Sequence, residues 1–176
     1  MLMNENQELL QLLLDTNKDV HIRVNTNLSN IDTKVGKLIQ KFDNVHWTVS
    51  VEATGDRYDY IRYGGNWSKF IDNVRSLKDR GQKITFNMLY FRLNFRELFR
   101  CVDHMRGMGF NDNAFIGGPV YAPRHMNILN LPMHKLDESK KLLDDNIATS
   151  SMYLKDSLQN IRTYMDSEPF DPNFKH

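Results

Sequence analysis

One cysteine, Cys101, stands in a chain of 176 residues. A lone thiol excludes an intramolecular disulfide, a four-thiolate zinc site and a complete cysteine-ligated iron–sulfur site within this chain. Excess charge of either sign is lacking too: 23 Lys and Arg face 22 Asp and Glu, a formal net charge of +1. A dedicated nucleic-acid or anionic-membrane surface shows a basic excess or stripe, so no nucleic acid and no membrane is expected as a partner. No apolar run approaches the ~20 residues of a membrane span, and no segment reads as a signal peptide, which makes the expected location cytoplasmic. What is present is ordinary: 40% hydrophobic and 26% charged residues, in a length that suits one domain.

Strand and helix patterns alternate along the chain. Val20, Ile22 and Val24 alternate with His21, Arg23 and Asn25, a period-2 strand that ends in Asn25-Thr26-Asn27. Val35, Leu38, Ile39 and Phe42 recur at helical spacing. Trp47, Val49 and Val51 then share one strand face, with His46, Thr48, Ser50 and Glu52 on the other. Trp67, Phe70, Ile71 and Val74 form the next helical stripe, which Asn66 can cap and Gly81 can end. A third strand sets Ile84, Phe86 and Met88 against Thr85, Asn87 and Leu89. Asn94 is expected to cap a helix over 95–108, with Glu97 completing a capping box and Gly109 as the stop. A fourth strand, around Asn113 to Ile116, runs into a Gly117-Gly118-Pro119 turn. The strand centres Ile22, Val49, Phe86 and Phe115 lie about 30 residues apart, the length of a βαβ unit with parallel strands. The chain opens on a helix with Asn4 as its cap and Leu9, Leu10, Leu13 and Leu14 as its apolar face. It closes on a helical region, Asp137 to about Met165, and a proline-broken tail from Glu168.

A sheet buried between two helix layers reads as near-continuous hydrophobic runs. Three of these strands instead carry one apolar face and one face of Arg23, Asn25, Thr48, Ser50, Glu52, Thr85 and Asn87. Two architectures fit: an open sheet with helices on one side and water on the other, or a curved, barrel-like sheet whose concave side is polar because a ligand fills it. The second is favoured, since the helix-facing residues are large and the opposite ones small and hydrogen-bonding. In barrels of alternating strands and helices, sites gather at the carboxyl ends of the strands. The expected fold is therefore α/β, a partial (β/α) barrel-like parallel sheet of about four strands with helices on its outer face and a C-terminal helical region. Residues 1–132 would form the barrel portion and 133–176 a helical extension and tail.

Other chemistry finds little support. His21, His46, His104, His125, His134 and His176 show no paired ligand spacing. Gly117-Gly118 lacks the Lys-Ser/Thr ending of a P-loop, Gly107 and Gly109 follow a helix rather than a strand, and Ser50 lacks a Gly-x-Ser-x-Gly context. Cys101 falls in a predicted helix beside the Val102 face, where a free thiol packs as a small hydrophobe.

The stretch from Ser50 to Gly64, Ser-Val-Glu-Ala-Thr-Gly-Asp-Arg-Tyr-Asp-Tyr-Ile-Arg-Tyr-Gly, resembles a segment of the radical S-adenosylmethionine (radical SAM) superfamily, in particular members with a SPASM or twitch auxiliary region. There the fourth barrel strand ends in Ser-x-Asp/Glu, followed by a short loop and an Ile-Arg-x-Gly step that opens the next helix. Thr26-Asn27-Leu28-Ser29 is similar to the end of the family's third strand, and Ile84-Thr-Phe-Asn87 to its fifth. The resemblance runs from about Gln7 to Pro132. It implies that Ser50 and Arg62 hold the methionyl carboxylate or ribose of SAM, with Glu52 in support. It also implies that Asn27 and Asn87 face the cofactor and that backbone around Ile116 and Gly117 lies against the adenine. From the residues alone, Arg62 is equally a surface arginine paired with Asp59, and Ser50 a filler of the sheet's polar side.

The family's C-x-x-x-C-x-x-C cluster motif is absent from this chain, as is its Gly-Gly-Glu-Pro segment. The resemblance therefore implies the third-to-sixth strand portion of a longer enzyme. That enzyme in complete form binds a [4Fe–4S] cluster and SAM and generates a 5′-deoxyadenosyl radical; this chain alone is expected to be inactive, with no metal ligands of its own. The alternative is a non-enzymatic α/β module that keeps the half-barrel to bind a nucleotide-like ligand or a partner. Coding sequence upstream of Met1 distinguishes the two. The substrate is left open, a peptide being one class. The strand at Val20 to Asn25, with Arg23 as its one sure charge and no proline, is expected to expose an edge prone to edge-to-edge self-association.

Overall fold

A computed structural model describes residues 4–17 and 19–167. The proline-broken tail beginning at Glu168 lies outside the described residues. Four strands, β1 (Ile22–Thr26), β2 (Val45–Ser50), β3 (Lys83–Tyr90) and β4 (Phe115–Pro119), form one sheet in the order β1-β2-β3-β4. Strand β1 pairs parallel with β2, from Ile22 opposite Val45 to Thr26 opposite Val49. Strand β3 pairs parallel with β4, from Phe86 opposite Phe115 to Tyr90 opposite Pro119. All four expected strand centres fall in strands, in sequential order. Two compact units divide the chain: residues up to Ser50 with 64–85, and 51–63 with residues from Phe86 onward.

The first unit holds α1 (Asn4–Thr16), α2 (Lys34–Ile39) and α4 (Trp67–Asp79) with β1 and β2. Strand β2 alternates buried and half-buried residues throughout, so Val45, Trp47 and Val49 face the core while His46, Thr48 and Ser50 face the other way. Phe70, Ile71, Val74 and Leu77 of α4 are buried, as their spacing requires. Asn66 caps α4 as expected, its side chain accepting from the Lys69 N–H at 2.8 Å, and Gly81 follows with φ +70°, a left-handed turn that suits glycine. Trp47 donates its indole N–H to the Gln82 side chain at 3.1 Å. Two expectations for α1 change: Asn4 is the first residue of the helix rather than a cap before it, and of the apolar face only Leu14 is buried, Leu9 being 55% exposed.

The second unit contains α3 (Gly55–Ile61), α5 (Glu97–Gly107), α6 (Met133–Thr149) and α7 (Met152–Ser167), together with β4 and most of β3. Phe86 stacks on Phe115 across the ladder, with ring centroids 5.6 Å apart. Helix α7 packs on β4, and Gly117 N–H donates to Ser157 Oγ at 3.1 Å. The helical region expected at 137–165 is two helices, broken at Ser150-Ser151, where Asp112 accepts from the Ser151 N–H at 2.8 Å.

Three sequence expectations fail here for identifiable reasons. Strand β4 begins at Phe115 and runs through Gly117-Gly118-Pro119, which is strand and not a turn. Asn113 belongs instead to a short 3₁₀ turn. A Cβ at Gly117 would lie 2.3 Å from the Met88 carbonyl oxygen, so close strand approach, not turning, accounts for that glycine. The loop expected after Glu52 contains helix α3, and Ile61-Arg62 ends that helix instead of opening the next, which starts at Trp67. Helix α5 starts at Glu97, two residues later than expected, because Asn94 spends its side chain on other partners.

Candidate functional site

Backbone direction sets the site. The register step Thr26 opposite Val49 brings Asn27 and Ser50 to the same carboxyl ends of neighbouring strands in the first unit. Asn27 is exposed and Ser50 half-buried. The loop after β1 is tied by its own side chains: Thr26 Oγ1 accepts from Leu28 N–H at 2.9 Å and Asn27 Oδ1 from Ser29 N–H at 3.1 Å. Leu28 takes a positive φ of 55° to bury its side chain, and its carbonyl accepts from Asn73 at 2.8 Å. A cleft of about 400 Å³ opens beside this loop, with Thr26, Asn27 and Asn30 at its polar side and Val24, Ile39 and Trp47 at its apolar side.

In the second unit, Glu52 and Arg62 form a fork. Arg62 donates Nε–H to Oε2 at 2.7 Å and Nη2–H to Oε1 at 2.5 Å. The Glu52 side chain is 6% exposed and that of Arg62 22%. Glu52 follows β2 rather than lying on its polar face, and it is buried, which corrects its expected placement. Burial pushes its carboxyl above the ordinary value, while the Arg62 hydrogen bond and charge act against that rise. Arg62 thus has Glu52 as the partner of its fork, where sequence offered Asp59. Tyr58, one turn before Arg62 in α3, is buried and its phenol is pushed up to about 12, chiefly by that burial.

Asn94 is the residue that sequence reasoning misplaced. It is fully buried; its Oδ1 accepts from Phe91 N–H at 2.8 Å, while Nδ2 donates to the Glu52 carbonyl at 3.0 Å and the Leu89 carbonyl at 2.7 Å. It therefore locks the Glu52 backbone to the end of β3 and leaves only its own carbonyl for the first N–H groups of α5. The Val51 N–H donates to the Asn87 carbonyl at 3.1 Å, a second tie between the Glu52 segment and β3. Asn87 is the register partner of Ile116, and Gly117 follows opposite Met88. The structure thus joins Glu52 with Arg62 and sets Asn87 beside Ile116 and Gly117 within this unit.

Comparison with known proteins decides the family. Residues 1–105 match the family model described as the radical SAM superfamily. The chain belongs to the radical SAM superfamily. A search of the curated proteins found none that matches. Two crystal structures of SuiB from Streptococcus suis, one of them bound to S-adenosylmethionine, resemble the chain at 14% identity with a TM-score of 0.55. Each likeness covers 81% of this chain and 33% of SuiB, so the chain spans about a third of the length of these relatives. That likeness is one of fold: the parallel sheet corresponds to part of a radical SAM barrel. Cys101, read as a buried thiol, is indeed fully buried, and burial raises its pKa well above the ordinary thiol range. Among the described residues no group of His, Cys, Asp or Glu is placed to hold a metal ion, and no helix is long and apolar enough to cross a membrane.

Proposed function

We propose that the chain is the barrel portion of a radical SAM enzyme and that its strand ends bind S-adenosylmethionine. The family match over residues 1–105 carries this reading, and the SAM held by SuiB, a protein of like fold, supports the choice of ligand. Local chemistry fits. Glu52 neutralises Arg62 and fixes its plane, and the 22% of the Arg62 side chain that stays exposed leaves guanidinium N–H groups for a carboxylate. Ser50 and Asn27 add hydroxyl and amide groups in the first unit. In the second, Asn87 adds an amide, while Ile116, 38% exposed, and Gly117 offer an apolar, backbone-lined surface suited to a purine. When bound to a reduced [4Fe–4S] cluster, SAM supplies a 5′-deoxyadenosyl radical.

The cluster is a different matter. A single, fully buried cysteine does not fit a group that needs three spaced thiolates. In this reading the complete enzyme has its thiolates outside these 176 residues, and the chain alone binds SAM without cleaving it. A twitch or SPASM subtype, a cytoplasmic location, a peptide substrate, and a division into a 1–132 barrel portion with a 133–176 extension complete the proposal. The same buried Cys101 favours a second reading, a cluster-less module for a nucleotide-like ligand. Equilibrium dialysis with radiolabelled SAM tests both. The first predicts one saturable site per chain, weakened by Ser50→Ala and by Arg62→Met and poorly displaced by adenosine. Displacement by adenosine as effective as by SAM selects the second, and no saturable binding overturns the first.

A further inference from the structure

The near-neutral total charge conceals a local row of basic side chains on the polar face of the sheet. Arg23 of β1 and His46 of β2 are register partners, so their side chains leave the sheet on one face. His46 Nε2 and Thr85 Oγ1 share a hydrogen bond of 2.8 Å, which sets Thr85 of β3 beside His46 on that face. Lys83 lies two residues before Thr85 in β3, and strand alternation sends it to the same side. His21 immediately precedes β1 and is close enough to act electrostatically on His46. His21, Arg23, His46 and Lys83 therefore line the amino-terminal ends of three neighbouring strands. At the ~4.8 Å spacing of paired strands the row spans about 10 Å. His46 is half-buried and the other three are exposed.

Among the described residues no ion pair balances the row. The residues that continue the polar face along β1 and β2, Asn25, Thr48 and Ser50, are neutral. Burial, then the charges of Lys83, Arg23 and His21, hold the His46 imidazolium below its ordinary pKa, and no carboxylate contributes to that shift. The positive charges of Arg23 and Lys83 repel one another and disfavour a proton on His46, and an anion among them relieves both effects.

We propose that this row is a binding site for an oligophosphate. A lone carboxylate reaches only part of a 10 Å row and brings one charge, whereas a chain of phosphates brings two or more along its length. The Arg23 fork suits phosphate oxygens bidentately, Lys83 serves as a point charge, and His46 gains a proton as the anion arrives. The site lies at the end of β1 and β2 opposite to Asn27 and Ser50, so it is separate from the SAM residues of the first unit and does not depend on that reading.

Titration of the chain with inorganic diphosphate at low ionic strength, followed by histidine ring NMR, tests the proposal. The expected result is saturable binding with an upward shift of the His46 ring pKa, stronger at pH 6 than at pH 8 and weakened by added salt. Arg23→Gln with Lys83→Gln, both at exposed positions, should lower the affinity on the order of tenfold or more, with the circular dichroism spectrum unchanged. SAM should not displace the diphosphate. Absence of saturation at millimolar diphosphate, or equal binding by the double variant, overturns the proposal. So does displacement by a single-stranded oligonucleotide at far lower concentration than diphosphate itself, which would assign the row to nucleic acid.

Discussion

Replacing Arg62 by Met removes the fork from Glu52 while keeping much of the arginine's stem volume. The carboxylate, with a side chain 6% exposed, then loses both guanidinium hydrogen bonds. It can stay charged, which costs about 3–5 kcal/mol for a broken buried pair, or take up a proton. From an unperturbed value of 4.5, protonation at pH 7 costs about 3 kcal/mol at 1.36 kcal/mol per unit. The cheaper route caps the loss at about 3 kcal/mol at pH 7 and about 1 kcal/mol at pH 5. Because the Glu52 carboxyl already stands above its ordinary value in the intact pair, Arg62→Met should destabilise by less than these caps, and more at pH 7 than at pH 5. The sign follows from the direction of the shift. A carboxyl whose folded pKa is raised favours folding below its unfolded value and loses that contribution as pH rises through the folded one. Urea unfolding followed by tryptophan fluorescence at the two pH values measures it. Equal losses at pH 5 and pH 7, or none at pH 7, would refute a buried carboxylate held by Arg62.

Asn94→Ala should cost several kcal/mol in the same assay, because it strands the Glu52 and Leu89 carbonyls and the Phe91 N–H, at about 1–3 kcal/mol for each group left buried and unsatisfied. A loss below about 1 kcal/mol would contradict its role. Gly36→Ala should lower the melting temperature even though helix propensity alone favours alanine by about 1 kcal/mol, since the new Cβ would lie 2.3 Å from the Ile31 carbonyl oxygen; a rise in melting temperature would disprove the clash. Burial tends to raise the Asp112 carboxyl, but the Ser151 N–H and Arg106 hold it below its ordinary 3.8. Its contribution to stability is therefore present above that value and is lost as pH falls through the depressed one. Asp112→Asn should flatten the acid limb of a stability–pH profile, and an unchanged slope would count against it. Anaerobic reconstitution with iron and sulfide should give no stoichiometric [4Fe–4S] cluster, and about four irons per chain that survive Cys101→Ser would reveal ligands other than the cysteine. β1 ends the sheet order and carries no proline, so sedimentation velocity should show concentration-dependent association that Asn25→Pro reduces; a monodisperse monomer with slow amide exchange along both edges of β1 would contradict it.

The sheet was legible because its information is local. Alternation marks Val45, Trp47 and Val49 as one face without reference to anything else in the chain, and Asn66 lies three residues from the Lys69 N–H that it caps. Asn94 shows where locality fails. The pattern Asn-Phe-Arg-Glu reads as a capping box, yet the side chain serves the Glu52 carbonyl, 42 positions away. Arg62 fails in the same way: Asp59 is a plausible helical partner at i−3, while the partner of the fork, Glu52, lies ten residues back and is brought there by the turn into α3. Gly117-Gly118 looks like a turn until the Met88 carbonyl on the neighbouring strand is known. The family was legible from Ser50 to Arg62 because those residues carry both a strand end and the charged pair, whereas α3, set between them, left no apolar stripe long enough to read.

The central claim, that the strand ends bind SAM, is tested most directly by amide NMR of the isotope-labelled chain during a SAM titration. The account predicts saturable shifts at Asn27, Ser50, Glu52, Arg62, Asn87, Ile116 and Gly117, with the row at Arg23, His46 and Lys83 unmoved. No saturable shift, or shifts gathered away from those strand ends, would contradict it.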